Sequence, residues 1–250
     1  LKLFIFALEP DPTHPKRIGS IPLNLKAPTE SPPKSYGHDN PWEYVPEEKL
    51  LYYEGFSVFD VSNPAEPEHI GLLHVPIYQY KMRYPYLYTA VQEDYDSLGD
   101  SVFFYVYRVN RTQSSFIAQL RTPGYLSGMD MGYIVSKDSS SKFAIVGGGY
   151  HPGAIDVTDP SNPQWVDIED PERVTHLVNS FTSTPDDRRT YVASYRRIAV
   201  VEADPIPRVV CVDTLMPPEG EGDMSIYYIT WFEGRLYLDA VNWFYEGKDW

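Results

Sequence analysis

One cysteine, Cys211, is all the chain has, which excludes a disulfide framework within a single molecule. Set in Arg208-Val209-Val210-Cys211-Val212, it reads as a small buried apolar side chain. No run of about 18 apolar residues occurs, so the sequence offers no candidate membrane-spanning helix. Basic residues are few beside acidic ones: 21 Lys and Arg against 35 Asp and Glu, a formal charge of −14. Nucleic-acid backbones are held by clustered cations, so that class of partner is excluded. The charge suits a soluble, exposed protein or one that handles cations. Also missing are G-x-S-x-G, H-E-x-x-H and C-x-x-C, and with them the commonest signatures of hydrolase, zinc-protease and thiol-redox chemistry. No segment of about a dozen residues keeps a 3.6-residue period, so little helix is expected.

What the chain does have is aromatic and turn-forming residues. Its 21 Tyr suit half-buried pleated surfaces, and its 23 Pro and 16 Gly cluster between short apolar runs as turn punctuation. One stretch recurs: Phe56-Ser57-Val58-Phe59-Asp60-Val61-Ser62-Asn63-Pro64, an alternating strand running into a proline turn with Pro67 beyond it. Gly153-Ala154-Ile155-Asp156-Val157-Thr158-Asp159-Pro160 repeats it most faithfully. Weaker copies end their apolar runs at Ala7, Tyr107 and Glu202. Counted on that terminal residue, the copies fall at 7, 60, 107, 156 and 202, which is 46 to 53 residues apart. A period of this size marks a repeat architecture.

Between the copies lie further strand pairs at 42–45 with 50–53, 81–83 with 86–91, 129–136 with 143–147, 176–182 with 190–194, and 226–232 with 235–241. Each unit is then four short antiparallel strands that bury nothing alone, the description of a propeller blade. The expected fold is one all-β domain over residues 1–250, with repeat copies near 1–21, 56–75, 102–121, 153–168 and 197–214. Labelling the strands of a blade A to D, the chain opens with C and D and closes with A and B. If complete, it would zip into five blades; if cut from a longer chain, it would form part of six or seven.

The segments 56–64 and 198–202 resemble the LVIVD repeat of β-propeller proteins. In that family the motif strand is the third of a blade, and the setting is often secreted or in the cell envelope. The resemblance implies a fold and no single activity. The sequon Asn110-Arg111-Thr112 fits the same extracellular setting.

The strand phase puts the D-to-A and B-to-C loops on one face. That face carries the long loops 22–41, 92–100 and 147–153, and loops longer than their topological task are commonly functional. One polar residue per blade opens strand A there: Asp39, Lys81, Asp130, His176 and Asp223. Pointed at a common axis, they would line a channel mouth and hold water or a small polar ligand. Asp130, His176 and Asp223 would suit Zn, Mn or Fe. Asp94, Asp96 and Asp100 surround Gly99 as Ca prefers, without the full calcium-loop spacing. Asp in the C-to-D proline turns is expected to cap backbone N–H groups two residues on.

These features point to a non-catalytic secreted or cell-envelope module that binds a protein or glycan on the long-loop face, with oligomers allowed. The alternative is a metal-dependent enzyme or glycan-acting hydrolase using Asp130, His176 and Asp223. Tyr36, Trp42, Tyr78, Tyr80, Tyr95, Tyr125, Tyr150 and Trp243 are expected to be exposed and free to stack on sugars or protein.

Overall fold

The computed structural model describes residues 2–7, 16–22, 42–53, 57–76, 79–93, 101–122, 126–148, 153–170, 178–194, 196–214, 223–232 and 235–243. They form twenty β-strands, with no helix among the described residues. Blade 1 comprises β3 (Trp42–Val45), β4 (Leu50–Tyr53), β5 (Ser57–Asp60) and β6 (Glu68–Leu72). Blade 2 is β7 (Gln79–Arg83), β8 (Tyr86–Glu93), β9 (Ser101–Asn110) and β10 (Gln113–Thr122). Blade 3 is β11 (Leu126–Val135), β12 (Lys142–Gly148), β13 (Gly153–Asp156) and β14 (Gln164–Asp167). Blade 4 is β15 (Ser180–Ser183), β16 (Thr190–Ser194), β17 (Arg197–Ala203) and β18 (Pro207–Thr214). In each the strands pair in sequence order, all antiparallel. The β-propeller expected from the repeat is therefore the observed architecture.

Two half-blades flank these four. β1 (Lys2–Ala7) pairs with β2 (Lys16–Pro22), and β19 (Asp223–Phe232) with β20 (Arg235–Trp243). No ladder among the described residues joins β20 to β1. β2 instead lies against the proline turn of blade 1, where a Cβ on Gly19 would come within 2.1 Å of the Pro64 carbonyl oxygen.

Side-chain alternation explains how the blades stack. Successive residues of a strand point to opposite sheet faces, and in an inner blade both faces are covered. Leu87 and Tyr88, adjacent on β8, therefore enter different cores: Leu87 joins Val45, Leu50 and Tyr52 of blade 1, and Tyr88 joins Met131 and Tyr133 of blade 3. Ile145, Ala154, Val192 and Ala199 build the core between blades 3 and 4, and Ala193, Ile226 and Ile229 that between blade 4 and β19. The inner strands run in order, β7 beside β11, β11 beside β15, and β15 beside β19.

The turn chemistry follows the sequence. Asp60 accepts the Ser62 backbone N–H at 2.9 Å, Asp156 that of Thr158 at 2.9 Å, and Asp159 that of Ser161 at 3.0 Å. Asp60 also takes the Arg111 guanidinium of blade 2 at 2.9 Å. The hydroxyl and backbone N–H of Ser62, then Arg111, hold the Asp60 carboxyl down to about 2. Its ordinary value is about 4, so the unfolded chain takes up the proton first. The stabilisation is present above about pH 4 and lost as pH falls toward 2. Urea midpoints should thus fall between pH 5 and pH 2.5, and Asp60→Asn should reduce that fall. An unchanged pH dependence in the variant would remove Asp60 from the acid response.

Two residues sit otherwise than the sequence suggests. Cys211 is exposed, not buried. β18 is an outermost strand, and its register against β17 slips between Val200 and Val201, so that Val210 is skipped and both Val210 and Cys211 lie outside. A bulge of this kind breaks the alternation on which a burial reading depends. Tyr80 is only 4% exposed, because β7 turns Tyr80 and Met82 together into the core against blade 1.

Candidate functional site

The turns joining strands A and B of blades 1 to 4 share one face of the propeller, and there the described residues form a charged mouth. Arg83 ends β7, and its guanidinium reaches Asp187 in the β15–β16 turn, 104 positions along the chain. Nε donates to Oδ2 at 2.9 Å and Nη2 to Oδ1 at 2.5 Å, a two-pronged pairing. Glu43 on β3 continues the series, 2.9 Å from the Lys81 ammonium and 4.0 Å from Arg83. Signs alternate along Lys81, Glu43, Arg83 and Asp187, and the four groups tie together blades 1, 2 and 4. Blade 3 enters through Tyr133, whose ring centroid lies 5.1 Å from the Arg83 guanidinium carbon, a cation–π distance.

Burial sets the electrostatics. Desolvation opposes the Arg83 charge, but the hydrogen bonds to Asp187 and the fields of Glu43 and Asp187 outweigh it and raise its pKa. Beneath it, burial pushes the Tyr133 hydroxyl up to about 12 and raises that of Tyr88, whose ring centroid is 6.0 Å away. Both phenols stay neutral across physiological pH, so neither competes with Asp187 for the guanidinium.

Above this lock lies a cavity of about 450 Å³. Its walls include Glu43, Tyr44, Glu47, Tyr84 and Pro185, with Met82, Arg83 and Asp187 at the base. Tyr44 is 55% exposed. Glu47 is exposed on the β3–β4 turn and makes no ion pair among the described residues. Three carboxylates thus face one guanidinium that is already bound.

The sequence-derived site residues fall differently. Lys81 lies on the inner strand β7, half-buried and paired with Glu43. Asp130 lies within β11 and Asp223 opens β19, on inner strands as the repeat requires; their side chains are outside the described set, as is the whole of Asp39 and His176. Asp94, Asp96 and Asp100, with most of the three long loops, also lie outside the described residues. Among the described residues no group of three His, Cys, Asp or Glu is placed to hold a metal, and no helix is long and apolar enough to cross a membrane. Sequence reasoning missed Glu43, Arg83 and Asp187. The one available signal was the density of charge in the A-to-B turn Asp186-Asp187-Arg188-Arg189.

Comparison with known proteins supports the fold. No family model matches the chain, and no curated protein does. Among solved structures, the periplasmic gluconolactonase of Pseudomonas aeruginosa is similar, with a TM-score of 0.54 and 13% identity over 81% of this chain and 66% of that one. The β-propeller domain of Myceliophteria thermophila Cps50 (Swd1) is similar at a TM-score of 0.50 and 12% identity, over 82% of this chain and 63% of that one. The chain spans less than two thirds of the length of either of these structures. At such identities the likeness defines the class, a β-propeller, and nothing finer.

Proposed function

We propose that this chain is a non-catalytic β-propeller binding module whose channel mouth on the A-to-B turn face receives a cationic side chain, Lys or Arg, of a partner protein. The observation that carries the reading is the composition of the 450 Å³ cavity. Glu43 and Asp187 are held in place by Lys81 and Arg83, Glu47 makes no ion pair among the described residues, and Tyr44 and Tyr84 line the cavity as aromatic side chains of the kind that attract cations. The overall charge of −14 would draw cationic segments toward the molecule. We further propose the secreted or envelope setting and the kinship with LVIVD-repeat propellers that the recurring hairpins suggest.

Fluorescence anisotropy with labelled hexalysine tests the mouth. Glu47→Gln should weaken binding about 3-fold to 5-fold, the worth of one partly screened charge. Glu68→Gln, at an exposed position on β6, should leave it unchanged. Equal losses in both variants would mean diffuse attraction to an acidic surface and would defeat the proposal.

The competing reading is a hydrolase with Asp130, His176 and Asp223 as its working groups, favoured by the fold shared with a gluconolactonase. Turnover of a sugar lactone that disappears in Asp130→Ala would establish it in place of the binding module.

A further inference from the structure

The groove between blades 3 and 4, on the same face, holds a guanidinium bonded only to neutral acceptors, and we propose that it docks an acidic segment of a partner protein. Its volume is about 680 Å³, and its charged walls are Lys137 from the β11–β12 turn, Asp186, Arg188 and Arg189 from the β15–β16 turn, and Glu202 of β17. Three cations there meet two lining carboxylates, and Asp204 beside the groove accepts the Lys137 ammonium at 3.2 Å, so that of the three cations only Arg188 is without a carboxylate partner among the described residues, on a chain that carries −14 in all.

Both carboxylates are engaged. Asp186 accepts the Thr184 hydroxyl at 2.6 Å and the Arg188 backbone N–H at 3.2 Å, and these bonds hold its pKa below the ordinary value. Glu202 accepts Arg189 Nε at 2.7 Å and lies 3.8 Å from the Lys137 ammonium. Arg188 is different. Its guanidinium donates to the Ser136 carbonyl and, at 2.7 Å, to the Ser139 hydroxyl. Both acceptors are neutral, and Arg188 makes no ion pair among the described residues. The two bonds to blade 3 fix the guanidinium without cancelling its charge. Lys137 and Arg189 stand beside it, their side chains 56% and 55% exposed.

A fixed guanidinium with spare donors is suited to a carboxylate. The flanking Glu202, Asp204 and Asp186 disfavour a doubly charged phosphate, whereas a single carboxylate of a peptide can take the spare donors of Arg188, with Lys137 and Arg189 alongside and already paired to Asp204 and Glu202. Elsewhere the acidic surface repels such a segment, so the contrast itself gives selectivity. The two grooves meet at Pro185, and the inference is tested apart from the cationic site with another probe and other variants.

The test is anisotropy of labelled hexaglutamate at low ionic strength. Wild type should bind, and Arg188→Gln should weaken binding about 5-fold or more. Lys137→Gln, at a side chain too exposed to carry the fold, should weaken it in the same direction. Arg235→Gln, at an exposed position on β20, should have no effect. No binding by wild type, an unchanged affinity in Lys137→Gln, or an equal loss in Arg235→Gln would each overturn the proposal. Displacement of the peptide by inorganic phosphate at lower concentration than by free glutamate would overturn it in favour of a small-anion site.

Discussion

Asp187→Ala is expected to lower the unfolding free energy by about 2–3 kcal/mol. Removing one partner of a fully buried ion pair costs about 3–5 kcal/mol, because the other charge is left uncompensated. Here the Arg83 and Asp187 side chains keep 26% and 18% of their exposure, and Glu43 remains 4.0 Å from the guanidinium, so the lower figure applies. The double variant Arg83→Met with Asp187→Leu should recover more than half of the loss, since replacing both members by apolar groups removes the stranded charge. Urea unfolding of wild type, Arg83→Met, Asp187→Leu and the double variant closes the cycle, with Asp187→Ala measured beside them. A loss below about 0.5 kcal/mol in Asp187→Ala would put the pair among surface bridges of little weight.

Gly132→Ala is expected to be about as damaging, at roughly 2–3 kcal/mol. A Cβ at Gly132 would sit 2.5 Å from Thr190 Cγ2 and 3.2 Å from Ile145 Cβ. Thr190 cannot move aside cheaply. It is fully buried, and its hydroxyl donates to the Tyr133 carbonyl at 3.0 Å and lies 2.9 Å from that of Ser183. The clash therefore falls on the seam between blades 3 and 4, which Tyr133 and Ser183 also bridge through a 3.0 Å bond. Thr190→Ser deletes the offending methyl and keeps the hydroxyl. Adding it to Gly132→Ala should restore most of the thermal midpoint, and a failure to do so would mean that the damage lies in the β11 backbone.

The fold was largely legible because each blade carries its own local signals. Residues 42–45 and 50–53 are β3 and β4 residue for residue, since Pro46-Glu47-Glu48-Lys49 between them can only be a turn. The strand expected from His176 is assigned only from Ser180 onward, residues 171–177 being outside the described set. Cys211 escaped because a bulge depends on the pairing strand and leaves no local mark in β18. The Arg83–Asp187 pair escaped for a related reason. It joins blades 2 and 4, and no period or motif within either blade encodes a contact formed only when the inner strands gather. Lys81 fell on the inner strand as the repeat requires, but its partner Glu43 belongs to a neighbouring blade and to no repeated position. Loop length directs attention to the opposite face, where the described residues are few.

Methyl NMR of the methionines tests the proposed mouth most directly. The chain has five methionines, a small enough set to assign by single substitution. Met82 lines the mouth on the A-to-B turn face, whereas Met131 is buried in the core between blades 2 and 3. On titration with hexalysine, the Met82 methyl signal should shift and saturate while that of Met131 stays in place. Binding with the Met82 signal unmoved, or a saturable shift at Met131 alone, would contradict the proposed mouth.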